Sequence, residues 1–223
     1  MTGNNGFTRL PAHVGVIPDG NRRWAAARGR SRAEGYAAGI EPGLALLARC
    51  RELGIEEVSV YGFTKENVRR PGDQVAAFRT ACVELGRRAL ESGAALLAVG
   101  DPGSRLFPDE LRPYAERRAP GDVRLNLLVN YGWRWDLLAA LTHARANGPV
   151  RASDVPAALG SAGVSRIDLV VRWGGRQRLS GFLPMQCAYA DFRSVETLWP
   201  DMRVEELDDA LRWYEQQDVT LGG

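Results

Sequence analysis

The chain has 223 residues, with 29 Lys+Arg against 27 Asp+Glu and a formal net charge of +2. This length suits one domain able to bury a sizeable core, and the near-balance of charge argues against a protein that grips nucleic acid through bulk positive potential. Lysine occurs once, at Lys65; the arginine bias is mostly that of a high-GC genome, with a subset available as bidentate forks for phosphate.

Taken in chain order, His13–Ile17, Glu57–Phe63, Ala94–Val99, Val123–Asn130 and Ile167–Arg172 read as strands. Each is nearly continuous in apolar residues, as strands covered on both faces are. Helical patterns cover Tyr36–Leu53, Gly72–Ser92, Pro108–Arg118, Trp135–Asn147 and Val204–Gln217, while the Gly-, Ala- and Ser-rich Asn147–Ser165 reads as a connection with one helical turn. Strand and helix alternating along the chain predict an α/β domain with a mainly parallel sheet.

Residues 1–12 have no signal-peptide core and are expected to be flexible, ahead of a single domain over 13–223. No run approaches the roughly 18 apolar residues of a membrane span. Cys50, Cys82 and Cys187 lie far apart with no C-x-x-C spacing, so neither zinc nor a disulfide framework is expected, and a cytoplasmic location is the simplest.

In such a sheet ligands bind beyond the carboxyl ends of the strands. Four loops lie there: Pro18–Trp24, Thr64–Pro71, Asn130–Arg134 and Arg172–Ser180, and all of them carry arginine. Glycine-exposed amides, helix starts and guanidinium forks on one edge make an anion site, most plausibly for phosphate. Asp19 stands in the first of these loops. An aspartate before glycine is commonly a turn or cap residue, but with Arg22, Arg23 and Arg32 near it in sequence its better use is to hold Mg²⁺ against a diphosphate, since magnesium takes one or two carboxylates plus phosphate oxygens. Asn67 and Arg70 suit either a helix start or the site. There is no G-x-x-x-x-G-K-[ST] and no G-x-G-x-x-G after the first strand. His13 and His143 read as structural. An anion site without a nucleophile or general-base pair suggests chemistry in which diphosphate itself leaves.

The segments HVGVIPDGNRRWAAARG, YGFTKENVRRP, NYGWRWDLL and DLVVRWGGRQRLSGFLPMQCAYADF followed by LWPD resemble, in order and spacing, those of the cis-prenyltransferases, the undecaprenyl diphosphate synthase family. The resemblance runs from about His13 to the C-terminus. It implies a homodimer with a six-stranded, mainly parallel sheet, helices around it and a hydrophobic prenyl tunnel. It also implies loss of diphosphate from an allylic donor (dimethylallyl, geranyl or farnesyl diphosphate), helped by Mg²⁺ and arginines, with attack by the double bond of isopentenyl diphosphate. By position, Asp19 and Asp191 are the implied metal carboxylates. Gly20, Asn21, Arg22, Arg23, Arg32, Tyr36 and Arg70 fall at the donor diphosphate, Asn67 at proton removal or orientation of the reacting groups, and Arg172, Arg176, Arg178 and Ser180 at the acceptor.

Several positions depart from the family pattern. Arg22 replaces a glycine and Tyr36 a histidine of the long-chain enzymes, both compatible with donor binding; Val68 replaces a tryptophan, and Asp191 shortens a glutamate. Arg176 stands where a glutamate follows the two glycines, and the C-terminal R-x-G arginine is absent from Val219–Gly223. Two expectations follow. Arg176 substitutes for the lost arginine and the acceptor is isopentenyl diphosphate or another C5 diphosphate, or the acceptor carries no diphosphate, as an aromatic secondary metabolite would not. Survival of Arg172, Arg178 and Ser180 favours the first. A shortened segment after Pro71 and the bulk of Trp133 point to a short donor, C5 to C15, and to the secondary-metabolism branch. A non-catalytic subunit is disfavoured because Asp19, Asn67 and Arg70 are retained.

Overall fold

β1 (His13–Ile17) is buried along its whole length, and β2 (Glu57–Tyr61) along all but its last residue. One face of β1 packs against the helix Ile40–Leu53, while the other meets Phe182 and Ile167 of the segments flanking the strand Leu169–Trp173. The computed structural model describes residues 6–66, 71–148 and 151–218. After β1 come α1 (Asn21–Ala27), α2 (Arg32–Ala38) and α3 (Ile40–Leu53). β2 is followed by α4 (Gly72–Glu91), β3 (Ala95–Val99), α5 (Pro113–Glu116), β4 (Arg124–Leu128), α6 (Trp133–Asn147) and α7 (Val155–Ala158), and the chain closes with β5 (Leu169–Trp173), β6 (Asp191–Val195) and α8 (Val204–Glu215). Among the described residues six strands form one sheet in the order β3-β4-β2-β1-β5-β6, and every pairing is parallel. All carboxyl ends therefore lie on one edge, where Ile17 of β1 faces Arg172 of β5.

The helix expected over Tyr36–Leu53 is two helices. α2 begins at Ser31, whose side chain accepts from the Glu34 amide while Glu34 reaches back to the Ser31 amide, a capping box. The break falls at Gly39, where a Cβ would stand 2.6 Å from Asn21 Oδ1 and 2.8 Å from the Trp199 ring. The α1 segment, expected as loop, is helical from Asn21. The Pro108–Arg118 pattern resolves into a 3₁₀ turn at Asp109–Leu111 and the four residues of α5.

β6 did not stand out from its residues. Its pattern Asp-Phe-Arg-Ser-Val is half-exposed at the sheet edge, so it lacks the apolar run that marks the inner strands. The N-terminal segment is docked from Thr8 onward, where the Thr8 hydroxyl donates to Glu215 at 2.9 Å and Arg9 Nη2 donates to the Gln217 carbonyl at 2.9 Å. Among the described residues no helix is long and apolar enough to cross a membrane, and the three cysteines are buried and free.

At the amino edge of the sheet a buried polar network confirms the structural reading of His13. Its Nε2 lies 2.8 Å from Ser59 Oγ and its Nδ1 3.0 Å from Ser165 Oγ, and Ser165 in turn donates to Glu57 Oε2 at 2.9 Å. Asn126 donates to Glu57 Oε1 at 2.6 Å and to Ser59 Oγ at 2.9 Å. A neutral imidazole satisfies this set. Nδ1–H gives to Ser165, which passes its own hydrogen to Glu57, and Ser59 gives to Nε2.

Candidate active site

The loop after β1 turns through Gly20, at φ +114°, where a Cβ would lie 3.0 Å from the Leu198 Cα; only glycine fits there. That turn presents Asp19. Its Oδ2 accepts from Arg172 Nη2 at 2.9 Å, and its Oδ1 lies 3.5 Å from Arg23 Nη2. Arg23 also donates to the Gly174 carbonyl at 2.7 Å. Gly174, at φ +86°, would place a Cβ 2.5 Å from that guanidinium, so the first loop and the loop after β5 interlock through a backbone that a side chain would push apart.

Arg172 is 5 % exposed. Its Nη1 donates to Ser180 Oγ at 2.8 Å and to the Arg178 carbonyl, so one buried guanidinium holds Asp19 on one side and the Ser180 turn on the other. In front of it a polar pocket of about 420 Å³ is lined by Asp19, Gly20, Asn21, Arg22, Arg23, Arg32, Tyr36, Arg176 and Arg178. Among the described lining residues five arginines face one carboxylate, an arrangement that favours a multiply charged anion. Arg176, where the family resemblance implies a glutamate, lines this pocket together with Arg178 and the first-loop arginines.

Pro18, Asn21, Tyr36 and Phe78 belong both to this pocket and to an adjoining apolar cleft, which continues past Ile40, Ala81, Cys82, Leu85 and Trp199. The cleft holds about 40 Å³, space for a few waters. At the junction Tyr36 and Phe78 stack with centroids 4.5 Å apart and planes 5° from parallel, and Phe63 meets Phe78 edge-on. Phe78 was not legible as a site residue, because on the apolar face of a helix an aromatic reads as core.

Asp19 and Asp191, both expected at the metal, lie at different ends of their strands within one chain. Asp191 opens β6 opposite Leu169, while Asp19 follows the other end of β1, which is level with Arg172. Three residues of strand, roughly 10 Å, separate Leu169 from Arg172. The two carboxylates therefore cannot share one ion within a chain. Burial raises the Asp191 pKa, with Arg9 opposing. Asn67, Val68, Arg70 and Val219–Gly223 lie outside the described residues.

The chain matches the family model described as "Putative undecaprenyl diphosphate synthase" over residues 17–222. It belongs to the undecaprenyl diphosphate synthase family of prenyltransferases. Isoprenyl transferases of Leptospira interrogans and Porphyromonas gingivalis are 32% and 34% identical to it, over 97% and 96% of this chain and 96% and 90% of theirs. Among solved structures, lavandulyl diphosphate synthase from Lavandula x intermedia, in complex with dimethylallyl diphosphate, is 26% identical with a TM-score of 0.83, covering 96% of this chain and 99% of that one. A "probable undecaprenyl diphosphate synthase" from Campylobacter jejuni has the same fold, at 24% identity and a TM-score of 0.77 over 97% of this chain and 100% of its own.

In this prenyltransferase the arginine-lined pocket and the apolar cleft adjoin at Tyr36 and Phe78. A metal fits only in part. Among the described residues no three His, Cys, Asp or Glu side chains cluster as a cage, but Asp19, one-third exposed at its side chain, opens on the polar pocket, which suits a Mg²⁺ carried largely by substrate phosphates.

Proposed function

We propose that this prenyltransferase moves a short, C5–C15 prenyl group from an allylic diphosphate to isopentenyl diphosphate or another C5 isoprenyl diphosphate, in a Mg²⁺-dependent reaction. The observation that carries the reading is the junction at Tyr36 and Phe78, where the arginine-lined pocket meets an apolar cleft of small volume. A diphosphate held at Arg22, Arg23 and Arg32 points its prenyl tail at that junction, and a long tail requires the stacked rings to part.

In the proposed reaction the C1–O bond of the donor breaks and its electron pair leaves with the diphosphate. The acceptor double bond forms the new carbon–carbon bond at C1, and the acceptor then loses a proton. The arginines of the pocket stabilise the charge growing on the leaving oxygen, a fixed electrostatic contribution that is stronger away from bulk water. Asp19 would hold Mg²⁺, which when bound supplies further charge neutralisation to the diphosphate. Asn67 is proposed to orient the reacting groups or assist proton loss, and Arg70 to hold the donor.

Arg176 supports a diphosphate acceptor, because it adds a guanidinium to the wall that already carries Arg178, with Arg172 and Ser180 behind. A homodimer is supported by apolar side chains left exposed along α6, Leu137, Leu138 and Leu141, and by Met185 and Tyr189 after the Ser180 turn, a face that a second copy would cover. The test is incubation with labelled dimethylallyl, geranyl and farnesyl diphosphates, isopentenyl diphosphate and Mg²⁺. Short products support the proposal, and long polyprenyl products overturn the chain-length claim.

A further inference from the structure

We infer that Tyr61 is a positioning residue for the acceptor subsite, acting through the backbone of Ser180. Tyr61 ends β2, and β1 lies between β2 and β5 in the sheet. The loop that follows β5 folds back over the sheet edge to within reach of the Tyr61 phenol. There its Oη donates to the Ser180 carbonyl at 3.0 Å.

What it holds is an unfavourable conformation. Ser180 has φ +54° and is followed by Gly181 at +83°; a non-glycine residue enters this region seldom and stays there only when its surroundings over-determine it. Two contacts do so, the Tyr61 phenol on the carbonyl and Arg172 Nη1 on Oγ at 2.8 Å. The conformation matters because it turns Oγ back toward Arg172, whose other nitrogen holds Asp19. Tyr61 is itself fixed, with Phe182 tilted against it at 5.2 Å and Tyr131 edge-on at 6.4 Å. Burial, reinforced by the charge of Glu66, raises the phenol's pKa, so the donor proton stays in place at working pH.

The inference rests on the proposed reading that Arg172, Arg178 and Ser180 bind the acceptor diphosphate. Its test is a double-mutant cycle of Tyr61→Phe and Ser180→Ala. The readout is KM for isopentenyl diphosphate, with Mg²⁺ present and saturated with whichever of dimethylallyl, geranyl or farnesyl diphosphate turns over fastest. One hydrogen bond corresponds to roughly a 5- to 10-fold rise in that KM for either single variant, larger than any change in the donor KM. In the Ser180→Ala background Tyr61→Phe should add little, because both act at one place. Phe182→Leu, which loosens the packing of the same ring, should lower Tm without a selective rise in acceptor KM. If Tyr61→Phe leaves the acceptor KM unchanged, raises both KM values alike, or multiplies with Ser180→Ala, the inference is wrong while the acceptor reading stands. If Ser180→Ala has no effect on the acceptor KM, or no diphosphate acceptor turns over, both are overturned.

Discussion

Arg172 Nη2 lies 2.9 Å from Asp19 Oδ2, and this ion pair ties the end of β5 to the turn that follows β1. The two side chains are unequally buried, 6 % exposed for the arginine and 33 % for the aspartate. Removing the aspartate therefore strands a charge that has little water of its own, whereas the reverse deletion leaves a carboxylate that water can reach.

Asp19→Asn and Asp19→Ala should part company on this account. Asparagine keeps an oxygen for Arg172, so Tm should stay within a few degrees while Mg²⁺-dependent kcat falls on the order of 10²–10³-fold. Alanine should lose the same activity and in addition several degrees of Tm. Thermal scans beside steady-state kinetics of the two variants make the comparison.

Phe78→Ala removes one ring of the stack at 4.5 Å and opens the cleft beyond it. We expect products longer by one or more C5 units, seen by chromatography of the hydrolysed alcohols. Unchanged product length would assign the limit to another part of the cleft.

Arg176→Glu restores the family's charge at an exposed position on the pocket wall. The acceptor KM should rise about 3- to 10-fold at low ionic strength and less in salt, because an exposed charge is screened. The donor KM should move less.

Stability should fall on acidification. Burial lowers the pKa of His13 below its ordinary 6.5, so as pH drops below 6.5 the unfolded chain takes up a proton that the folded one refuses. Burial alone would raise Glu57, but the charge His13 carries once protonated, together with hydrogen bonds from Asn126 and Ser165, outweighs it and leaves its pKa below 4.5. Its contribution is present above 4.5 and is lost as pH falls through the folded value. Tm should therefore decline from about pH 6.5 downward and more steeply below 4.5, and His13→Gln should flatten the upper part of that decline.

The inner strands and the loops at their carboxyl ends were legible because β1, β2, β4 and β5 are buried on both faces and so carry nearly continuous apolar runs. Asp19, Arg22, Arg23, Arg32, Tyr36, Arg176 and Arg178 were legible as a set, and one pocket does gather them. What escaped depends on contacts distant in sequence. The break at Gly39 is dictated by Trp199, the edge strand β6 has no run of its own, and Phe78 and Tyr61 take their roles from partners on other elements. Which end of β6 Asp191 occupies was not legible either, because adjacency to a motif says nothing about which end of a strand a residue takes.

The central claim is short-chain prenyl transfer to a diphosphate acceptor, and the most direct measurement is the product formed from each allylic diphosphate with isopentenyl diphosphate and Mg²⁺, sized by chromatography. We expect short diphosphates, one C5 unit longer than the donor, and no product when Mg²⁺ is chelated. Long polyprenyl products, or turnover that persists without the metal, would contradict it.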